Sequence, residues 1–199
     1  NYIHRAGREM EDLINNLMAV QKYETAALPI EPQPIELDIL VNETLESMIP
    51  LFDERKMTYI KTGDAWESVS IDPRLAHRMI YNILNNALKY APTGDQIVLH
   101  TRYSTQENHV ELSVTDHGPG IPEGQLDTIF DKYSQVQGRQ IGRVHSMGLG
   151  LTFCRMVAEA HGCQIWAESE LNYSTTIRFT LPLAQASGLM AAETGQLNR

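Results

Sequence analysis

Three polar side chains recur on one stripe of a helical segment, and their types suit a metal ion and a phosphate. Asn82, Asn86 and Lys89 are spaced at i, i+4 and i+7, which places them on one line of a helix. Asn carbonyl oxygens are hard neutral ligands suited to Mg²⁺, and a lysine ammonium meets a phosphate as a point charge. Asn costs a helix up to about 0.7 kcal/mol against Ala, so a run that also includes Asn85 indicates a compensating role. The alternative is a solvated polar face, for which Glu and Lys are the usual residues.

An acidic residue ends a strand pattern on its apolar side. The alternation that begins at His109 places three apolar residues on one face, and the next position on that face is Asp116. An inward carboxylate without partners costs on the order of several kcal/mol, so it needs donors, of which an adenine amino group is one. Gly118 and Gly120 permit positive φ and close backbone approach, as a bound ring beside the strand would require. The alternative is a strand-end Asp that caps the turn formed by these glycines.

Two glycines adjoin the start of a later helical pattern. Gly148 and Gly150 lie just before or within its first turn, where free N–H groups and the positive end of the dipole make an anion site. Glycine also lets phosphate oxygens reach the backbone, although a start that merely fixes loop geometry is the alternative. The preceding segment carries positive groups, at least half of which are expected to be ordinary solvated charges: Lys132, Arg139, Arg143 and His145.

Helices and strands in mixed order must position these groups. Asp72 is a candidate N-cap with Pro73 at the favoured first helical position, and Pro92 with Gly94 ends the helix that carries the Asn stripe. This order of elements, with adjacent hairpins, predicts an α+β fold built as a two-layer sandwich. Further helices are predicted over residues 37–52 and 149–160, and strands over 57–62, 68–71, 96–103, 109–116, 164–168 and 175–181.

The chain divides into four predicted segments. Residues 1–27 have alternating three and four spacings of apolar positions, which predicts a bundle or coiled-coil helix standing apart; a helix packed on its own domain is the alternative. Residues 28–36 contain three prolines and are predicted to be a stiff extended linker. Residues 37–183 form the main domain, and residues 184–199 are predicted to be a disordered tail. A loop over 121–147 is long enough to be a lid or a binding loop.

Composition excludes several classes of partner. The formal charge of -9 argues against nucleic acid and anionic lipid, because phosphate contacts of that kind need a clustered cationic surface. No apolar run approaches the roughly 18 residues of a membrane span. Cys154 and Cys163 have neither CxxC nor metal spacing, which fits a reducing compartment. We therefore expect the chain to be the soluble, cytoplasmic part of a protein that is either membrane-anchored or soluble. The chain starts without Met inside a helical pattern, so we expect it to be a piece of a longer protein.

Four segments in order carry a family resemblance. NILNNALKYAPTG, DHGPGIP, IFDKYSQ and SMGLGLTFCRMVAEAHG resemble the N, G1, F and G2 boxes of two-component sensor histidine kinases, in the GHKL ATPase superfamily. The resemblance extends from the N-terminal helix, which looks like the second helix of the dimerisation and phosphotransfer hairpin, to TTIRFTLPL. It implies a Bergerat-type α/β sandwich that binds ATP and Mg²⁺. The γ-phosphoryl group would pass to a histidine within a homodimer, for relay to a response-regulator receiver domain.

The same resemblance implies roles for individual residues. Asn86 would bind Mg²⁺ with Asn82 nearby, and Asp116 would accept a hydrogen bond from the adenine amino group. Phe130 would anchor the lid, and Thr176 would lie near the adenine. The other implied nucleotide-binding positions are Lys89 at the phosphates, Tyr90 at the border of the nucleotide, Gly118, Gly120 and Ile121 along the base, and Ser146, Met147, Gly148, Leu149, Gly150 and Leu151 around the phosphates.

The sequence departs from the family pattern in two respects. Ser146 and Ser174 stand where many relatives have glycine, and Tyr133 stands where Phe is frequent, which puts the mobility of the lid in question. In the family the phosphoacceptor is a His followed by an acidic residue, and none of the 7 histidines here precedes Asp or Glu. We therefore assign no phosphoacceptor within this chain. Two alternatives to an active kinase are a degenerate kinase that acts as a nucleotide-binding or interaction module, and an ATPase of the gyrase, chaperone or mismatch-repair kind.

Overall fold

A computed structural model describes Gly7 and residues 28–104, 108–134 and 148–184. The predicted helix over 1–27, except Gly7, lies outside these residues, as do the tail from 185 and the segment 135–147 with Arg139, Arg143, His145, Ser146 and Met147. In the described part no helix is long and apolar enough to cross a membrane. The helices are α1 (Leu37–Arg55), α2 (Pro73–Tyr90) and α3 (Gly150–Ala160). The strands are β1 (Gln33–Glu36), β2 (Thr58–Gly63), β3 (Ser68–Ile71), β4 (Gln96–Tyr103), β5 (His109–Asp116), β6 (Ile165–Glu170) and β7 (Ser174–Pro182).

Five of the strands form one mixed sheet in the order β2-β4-β5-β7-β6. The β2 and β4 strands are parallel, and the other neighbours are antiparallel. The helices pack on one face of the sheet, where α2 contacts α1, α3 and β5. The two-layer α+β sandwich predicted from the sequence is therefore confirmed. The long loop after β5 contains two short 3-10 turns in its described part, Glu123–Gln125 and Thr128–Phe130.

Helix α2 begins and ends where the local sequence signals predict. The Asp72 carboxylate accepts hydrogen bonds from the backbone N–H groups of Arg74 (3.0 Å) and Leu75 (3.3 Å), and Pro73 occupies the first helical position. Ala91 has extended backbone angles, as the residue before a proline should, and this ends the helix. The apolar face is buried through Ala76, Met79, Ile80, Ile83, Leu84, Ala87 and Leu88.

The end of the predicted linker joins the domain. Residues 33–36 are extended as predicted, but they also form strand β1, which pairs antiparallel with β3. Pro34 lies in β1 without disrupting it, since β1 pairs with β3 on one side and its other edge has no ladder partner among the described residues. The backbone N–H of Glu31 donates to Asp72 Oδ2 at 3.1 Å. This part of the chain is thus attached to the start of α2.

The sheet face opposite the helices is polar. Glu111 is buried there and receives hydrogen bonds from Arg102 Nη2 and Arg178 Nη1, each at 2.8 Å. Glu168 forms a further ion pair with Arg178 at 2.9 Å. Its pKa is raised by burial but lowered more by its hydrogen bonds and by the two arginines, so the net shift is downward. These ion pairs and hydrogen bonds lie on the face of the sheet that the described helices do not cover.

Candidate nucleotide-binding site

The C-terminal end of α2 contacts the glycine turn that follows β5. A Cβ added to Gly118 would lie 2.6 Å from Asp116 Oδ1 and 2.9 Å from the carbonyl oxygen of Tyr90, so only glycine fits between them. Gly120 has a φ of +66°, and a Cβ there would lie 2.2 Å from the carbonyl oxygen of Glu170 in β6. The turn is therefore held between helix α2 and the sheet.

Two turns earlier, the same helix contacts the start of α3. A Cβ added to Gly150 would lie 3.8 Å from both Cγ and Oδ1 of Asn82. The Asn82 Nδ2 atom is buried and has no hydrogen-bond partner among the described atoms. No described side chain caps the first N–H groups of α3, which begins after Leu149. Within the described part of the chain, this end of the site thus places the unpartnered Asn82 amide next to helix-start N–H groups that no side chain caps, which suits an anion.

The distance between the two contacts follows from helix geometry. Asn82 and Tyr90 are separated by eight residues, which corresponds to about 12 Å along the axis of α2. Between them Asn86 and Lys89 are half-buried, and the Lys89 ammonium lies 4.8 Å from the centroid of the Tyr90 ring. Tyr90 itself is exposed. Helix α2 thus connects an acidic end beside Asp116 to a donor-rich end beside Gly150.

Three residues from adjacent strands form a row at the acidic end. Asp116 of β5 pairs with Thr175 of β7, and Thr175 pairs with Ser169 of β6. Asp116 is 7% exposed and accepts a hydrogen bond from the Gly118 N–H at 2.8 Å. Ser169 Oγ accepts a hydrogen bond from the N–H of Ile121 at 2.8 Å and lies 3.2 Å from Thr175 Oγ1. The row therefore ties the loop at Ile121 to the strands that carry the carboxylate.

Thr176, which the resemblance placed near the adenine, lies on the other face of the sheet from Asp116. It pairs with Thr115, and their hydroxyl oxygens are 2.8 Å apart on the polar outer face. Successive residues of a strand point to opposite faces, so the residue that faces Asp116 is Thr175. The placement of Thr176 near the adenine stays a prediction, and Thr175 is the competing position because it shares the face of Asp116. If β5 and β7 are assumed to pair, the alternation of side chains along each strand assigns Asp116 and Thr175 to the same face, and this is the signal that could have identified Thr175.

The two described ends of the lid segment meet beside α3. Gly148 has a φ of +66°, and a Cβ there would lie 2.4 Å from the carbonyl oxygen of Ser134. Phe130 is buried, as its predicted anchoring role requires, and the Arg155 guanidinium lies 5.3 Å from its ring centroid. Thr152 Oγ1 donates to the Asp131 carbonyl oxygen at 3.0 Å. Leu149 is buried and Leu151 is half-buried against the core.

A hydrogen-bonded histidine connects the start of α2 to the end of α3. The backbone N–H of Asp72 donates to His161 Nε2 at 3.0 Å, and His161 Nδ1 lies 2.8 Å from the Val157 carbonyl oxygen. This pattern fixes the tautomer with the proton on Nδ1. Burial raises the pKa of Asp72, but hydrogen bonds from Glu31, Leu75 and Arg74 lower it below its ordinary value of 3.8. The two helices that meet at Gly150 are thus also joined at their far ends.

Comparison with known proteins agrees with this geometry. The model of the family described as histidine kinase-, DNA gyrase B- and HSP90-like ATPase matches residues 71–185. The Adaptive-response sensory kinase SasA of Synechococcus sp. (strain JA-3-3Ab) is 30% identical over 182 residues, which cover 91% of this chain and 48% of that protein. The chain thus spans about half the length of this curated relative.

Two solved structures share the fold. Full-length ShkA in complex with AMPPNP matches with a TM-score of 0.77 and 21% identity, over 90% of this chain and 37% of ShkA. Histidine kinase ThkA, in complex with the response regulator protein TrrA, matches with a TM-score of 0.71 and 20% identity, over 92% of this chain and 51% of ThkA. The chain belongs to the histidine kinase-, DNA gyrase B- and HSP90-like ATPase family, and it carries the ATP-binding catalytic domain of the sensor histidine kinase type.

Proposed function

We propose that this chain binds Mg-ATP along α2 and, within its full-length protein, transfers the γ-phosphoryl group to a histidine on a helix of the same dimer. The observation that carries the proposal is the double contact of α2, with Gly118 at Tyr90 and with Gly150 at Asn82. One end of this helix adjoins a carboxylate that can accept from an amino group. The other adjoins a helix start that no described side chain caps, where N–H groups complement phosphate oxygens.

The residues between these ends fit a magnesium ion. Asn86 is half-buried on the stripe of α2 that includes Asn82, and its amide oxygen is a ligand type that Mg²⁺ accepts alongside waters and phosphates. When bound, the ion would neutralise charge on the phosphates. Asn82 would contribute its unpartnered amide to a phosphate oxygen, and Lys89 would add positive charge nearby. The chain itself thus supplies binding and orientation, which is most of what phosphoryl transfer requires.

The reaction and its partners belong to the longer protein. The γ-phosphorus would bond to a histidine ring nitrogen while its bond to the β,γ-bridging oxygen breaks, and ADP would leave with that electron pair. A response-regulator receiver domain would then take the phosphoryl group, which the ThkA–TrrA complex supports by analogy of fold. We further propose a homodimer with its kinase part in the cytoplasm. The buried free thiols Cys154 and Cys163 support such a reducing compartment.

Binding tests the site assignment first. We expect calorimetry to detect Mg-ATP binding that Asp116→Asn and Asn86→Ala abolish. Asn85→Ala is the matched control for the second variant, because Asn85 lies next to Asn86 in α2 but is exposed. Asp127→Asn is the control for Asp116→Asn, because it makes the same change at an exposed residue. Unchanged affinity in both site variants would refute the assignment.

Phosphotransfer tests the reaction. The upstream residues of the natural protein would be restored, and label from the γ-phosphate would be followed into protein. Acid-labile, alkali-stable labelling of a histidine is expected for an active kinase. Nucleotide binding without any transfer would instead favour the degenerate kinase, a module that works through nucleotide binding and its partners.

A further inference from the structure

We propose that Ser169 is a positioning residue that fixes the direction of the Thr175 hydroxyl, so that Thr175 and Asp116 both present acceptors to the nucleotide base. This inference rests on the proposed function, because it concerns the end of the site assigned to the base. Ser169 lies in β6, one of the two edge strands of the sheet, and belongs to none of the four sequence boxes. Its connection to the site runs through the row formed with Thr175 and Asp116.

The argument begins with the proton of Ser169. A serine hydroxyl has one proton to donate and two lone pairs that can accept. Ser169 Oγ lies 2.5 Å from the carbonyl oxygen of Ser174, which can only accept, so the serine proton is committed to that bond. The N–H of Ile121 donates to the same Oγ at 2.8 Å and occupies one lone pair.

The remaining lone pair sets the role of Thr175. Thr175 Oγ1 lies 3.2 Å from Ser169 Oγ, and Ser169 has no proton left to give, so Thr175 is the donor in this hydrogen bond. With its proton directed to Ser169, Thr175 keeps only lone pairs for other partners. A neutral hydroxyl, which in isolation could either donate or accept, is thereby fixed as an acceptor.

The neighbouring carboxylate gives this direction a consequence for specificity. Thr175 lies opposite Asp116 in the ladder, where facing side chains have Cβ atoms about 5 Å apart. Two acceptors side by side match an exocyclic amino group, which has two N–H donors, and oppose a carbonyl oxygen. A purine with an amino group at that position should therefore be preferred over one with a carbonyl group. Ser169 contributes to this preference without touching the base itself.

The measurement is the ratio of dissociation constants for Mg-ITP and Mg-ATP, determined by calorimetry on the 199-residue chain. The two nucleotides differ at one position of the base, where ATP has an exocyclic amino group and ITP has a carbonyl oxygen. We expect the unmodified chain to favour ATP. In Ser169→Ala the Thr175 hydroxyl becomes free to donate to a carbonyl, so the ratio should fall by about fivefold or more. Ser169→Thr keeps the hydroxyl and should restore the ratio.

Ser113→Ala is the matched control. Ser113 is a serine of the same sheet, and its Oγ likewise donates to a backbone carbonyl oxygen, that of His100 at 3.2 Å, but it is buried on the outer face. Its removal should leave the ratio unchanged. Thermal unfolding confirms that each variant is folded. If Ser169→Ala does not fold, Ser169→Val replaces it with the same expected fall, because valine also lacks a hydroxyl and suits a strand.

The outcomes separate the two proposals. A chain that binds ATP, with a folded Ser169→Ala variant whose ratio is unchanged, would overturn this inference and leave the proposed function intact. A fall in the ratio for Ser113→Ala as large as that for Ser169→Ala would also overturn it. If the unmodified chain binds neither nucleotide, the proposed function fails and this inference fails with it.

Discussion

The amide group of Asn82 lies against Gly150, the first residue of α3, at a separation that leaves space for one methyl group. A Cβ on Gly150 would lie 3.8 Å from Asn82 Oδ1, which is ordinary van der Waals distance, and the φ of Gly150 lies outside the left-handed region. The glycine is therefore not required by the fold at this point. Because Gly150 has no side chain, the space between the Asn82 amide and the first N–H groups of α3 stays open.

Gly150→Ala should separate stability from binding. Ala is a better helix former than Gly, so the free energy of unfolding should stay the same or rise by up to about 1 kcal/mol. The added methyl group would occupy the space where phosphate oxygens approach the helix start, so ATP affinity should fall by about tenfold or more. Urea unfolding and calorimetry measure the two quantities. A variant that binds ATP normally would contradict this position for the phosphates.

Gly148→Ala is the contrasting change, only two residues away. Gly148 has a φ of +66°, and a Cβ would lie 2.4 Å from a backbone oxygen of Ser134. Both effects act on the folded state, so we expect the free energy of unfolding to fall by at least about 2 kcal/mol. Equal stability of the Gly148→Ala and Gly150→Ala proteins in urea would contradict the structural distinction between these glycines.

Thr175→Val and Thr176→Val should differ in their effect on ATP. Valine has nearly the shape of threonine but no hydroxyl, and both positions lie in β7, where a β-branched residue is well tolerated. Loss of the Thr175 hydroxyl removes an acceptor beside Asp116, so ATP affinity should fall by about five- to tenfold. The Thr176 variant, changed on the outer face, should bind as the unmodified chain does. The reverse order of affinities would return the assignment to Thr176.

Asp72→Asn should destabilise the protein in a manner that depends on pH. One carboxylate oxygen accepts from Arg74 and Leu75 and the other from Glu31, whereas an amide has only one acceptor oxygen. At neutral pH we expect a loss of about 1–2 kcal/mol in the free energy of unfolding. The pKa of Asp72 is lower in the folded state than its ordinary value of 3.8. The ionised carboxylate therefore contributes its full stabilisation above pH 3.8, and this stabilisation is lost as the pH falls through the pKa of the folded state.

Urea unfolding at a series of pH values measures this dependence. The difference between the unmodified chain and Asp72→Asn should shrink as pH falls below 3.8. Asp127→Asn provides the control, because that residue is exposed and should change stability by less than about 0.5 kcal/mol. A difference that stays constant across the acid range would argue that the carboxylate charge has no part in the cap.

Both cysteines should react slowly in the folded protein. Burial raises the pKa of Cys163 to about 11 and that of Cys154 further still, so neither thiol is appreciably ionised near neutral pH. Cys154 is also fully buried, and its Sγ lies 3.6 Å from the Met79 carbonyl oxygen. A thiol reagent at mildly alkaline pH should label both residues rapidly only in denaturant. Rapid stoichiometric labelling of the native chain would be inconsistent with this packing.

Local signals predicted much of the fold. Asp72 and Pro73 define the start of α2 through contacts within one turn, and the bounds predicted for β4 and β5 agree with the structure because alternation is a property of one strand. The pairing of β1 with β3 was not predicted, since it depends on residues about 35 positions apart. Extended backbone was correctly expected there, but an extended segment does not specify its partner.

The same limit applies to the site. The carboxylate of Asp116 could be assigned to the inner face from its own strand, whereas the choice between Thr175 and Thr176 required the register between β5 and β7. Ser169 carries no signal at all in a single sequence, because its importance arises from three partners in two other segments. Residues proposed to bind a ligand directly were thus easier to select from the sequence than a residue proposed to hold them in position.

The contact between Gly148 and Ser134 also bears on how sequences of this kind can vary. Because Gly148 and Ser134 lie against each other, the described residues on either side of 135–147 meet at one point of the domain. Doubling the number of residues between two fixed ends of a flexible loop costs only about 0.6 kcal/mol of loop-closure free energy. Insertions, deletions or exchange of residues 135–147 should therefore leave the sandwich folded. This stretch is a natural place for evolution, or a protein engineer, to introduce new recognition sequences onto a folded sandwich, and keeping Ser146 and Met147 would retain the positions expected beside the phosphates.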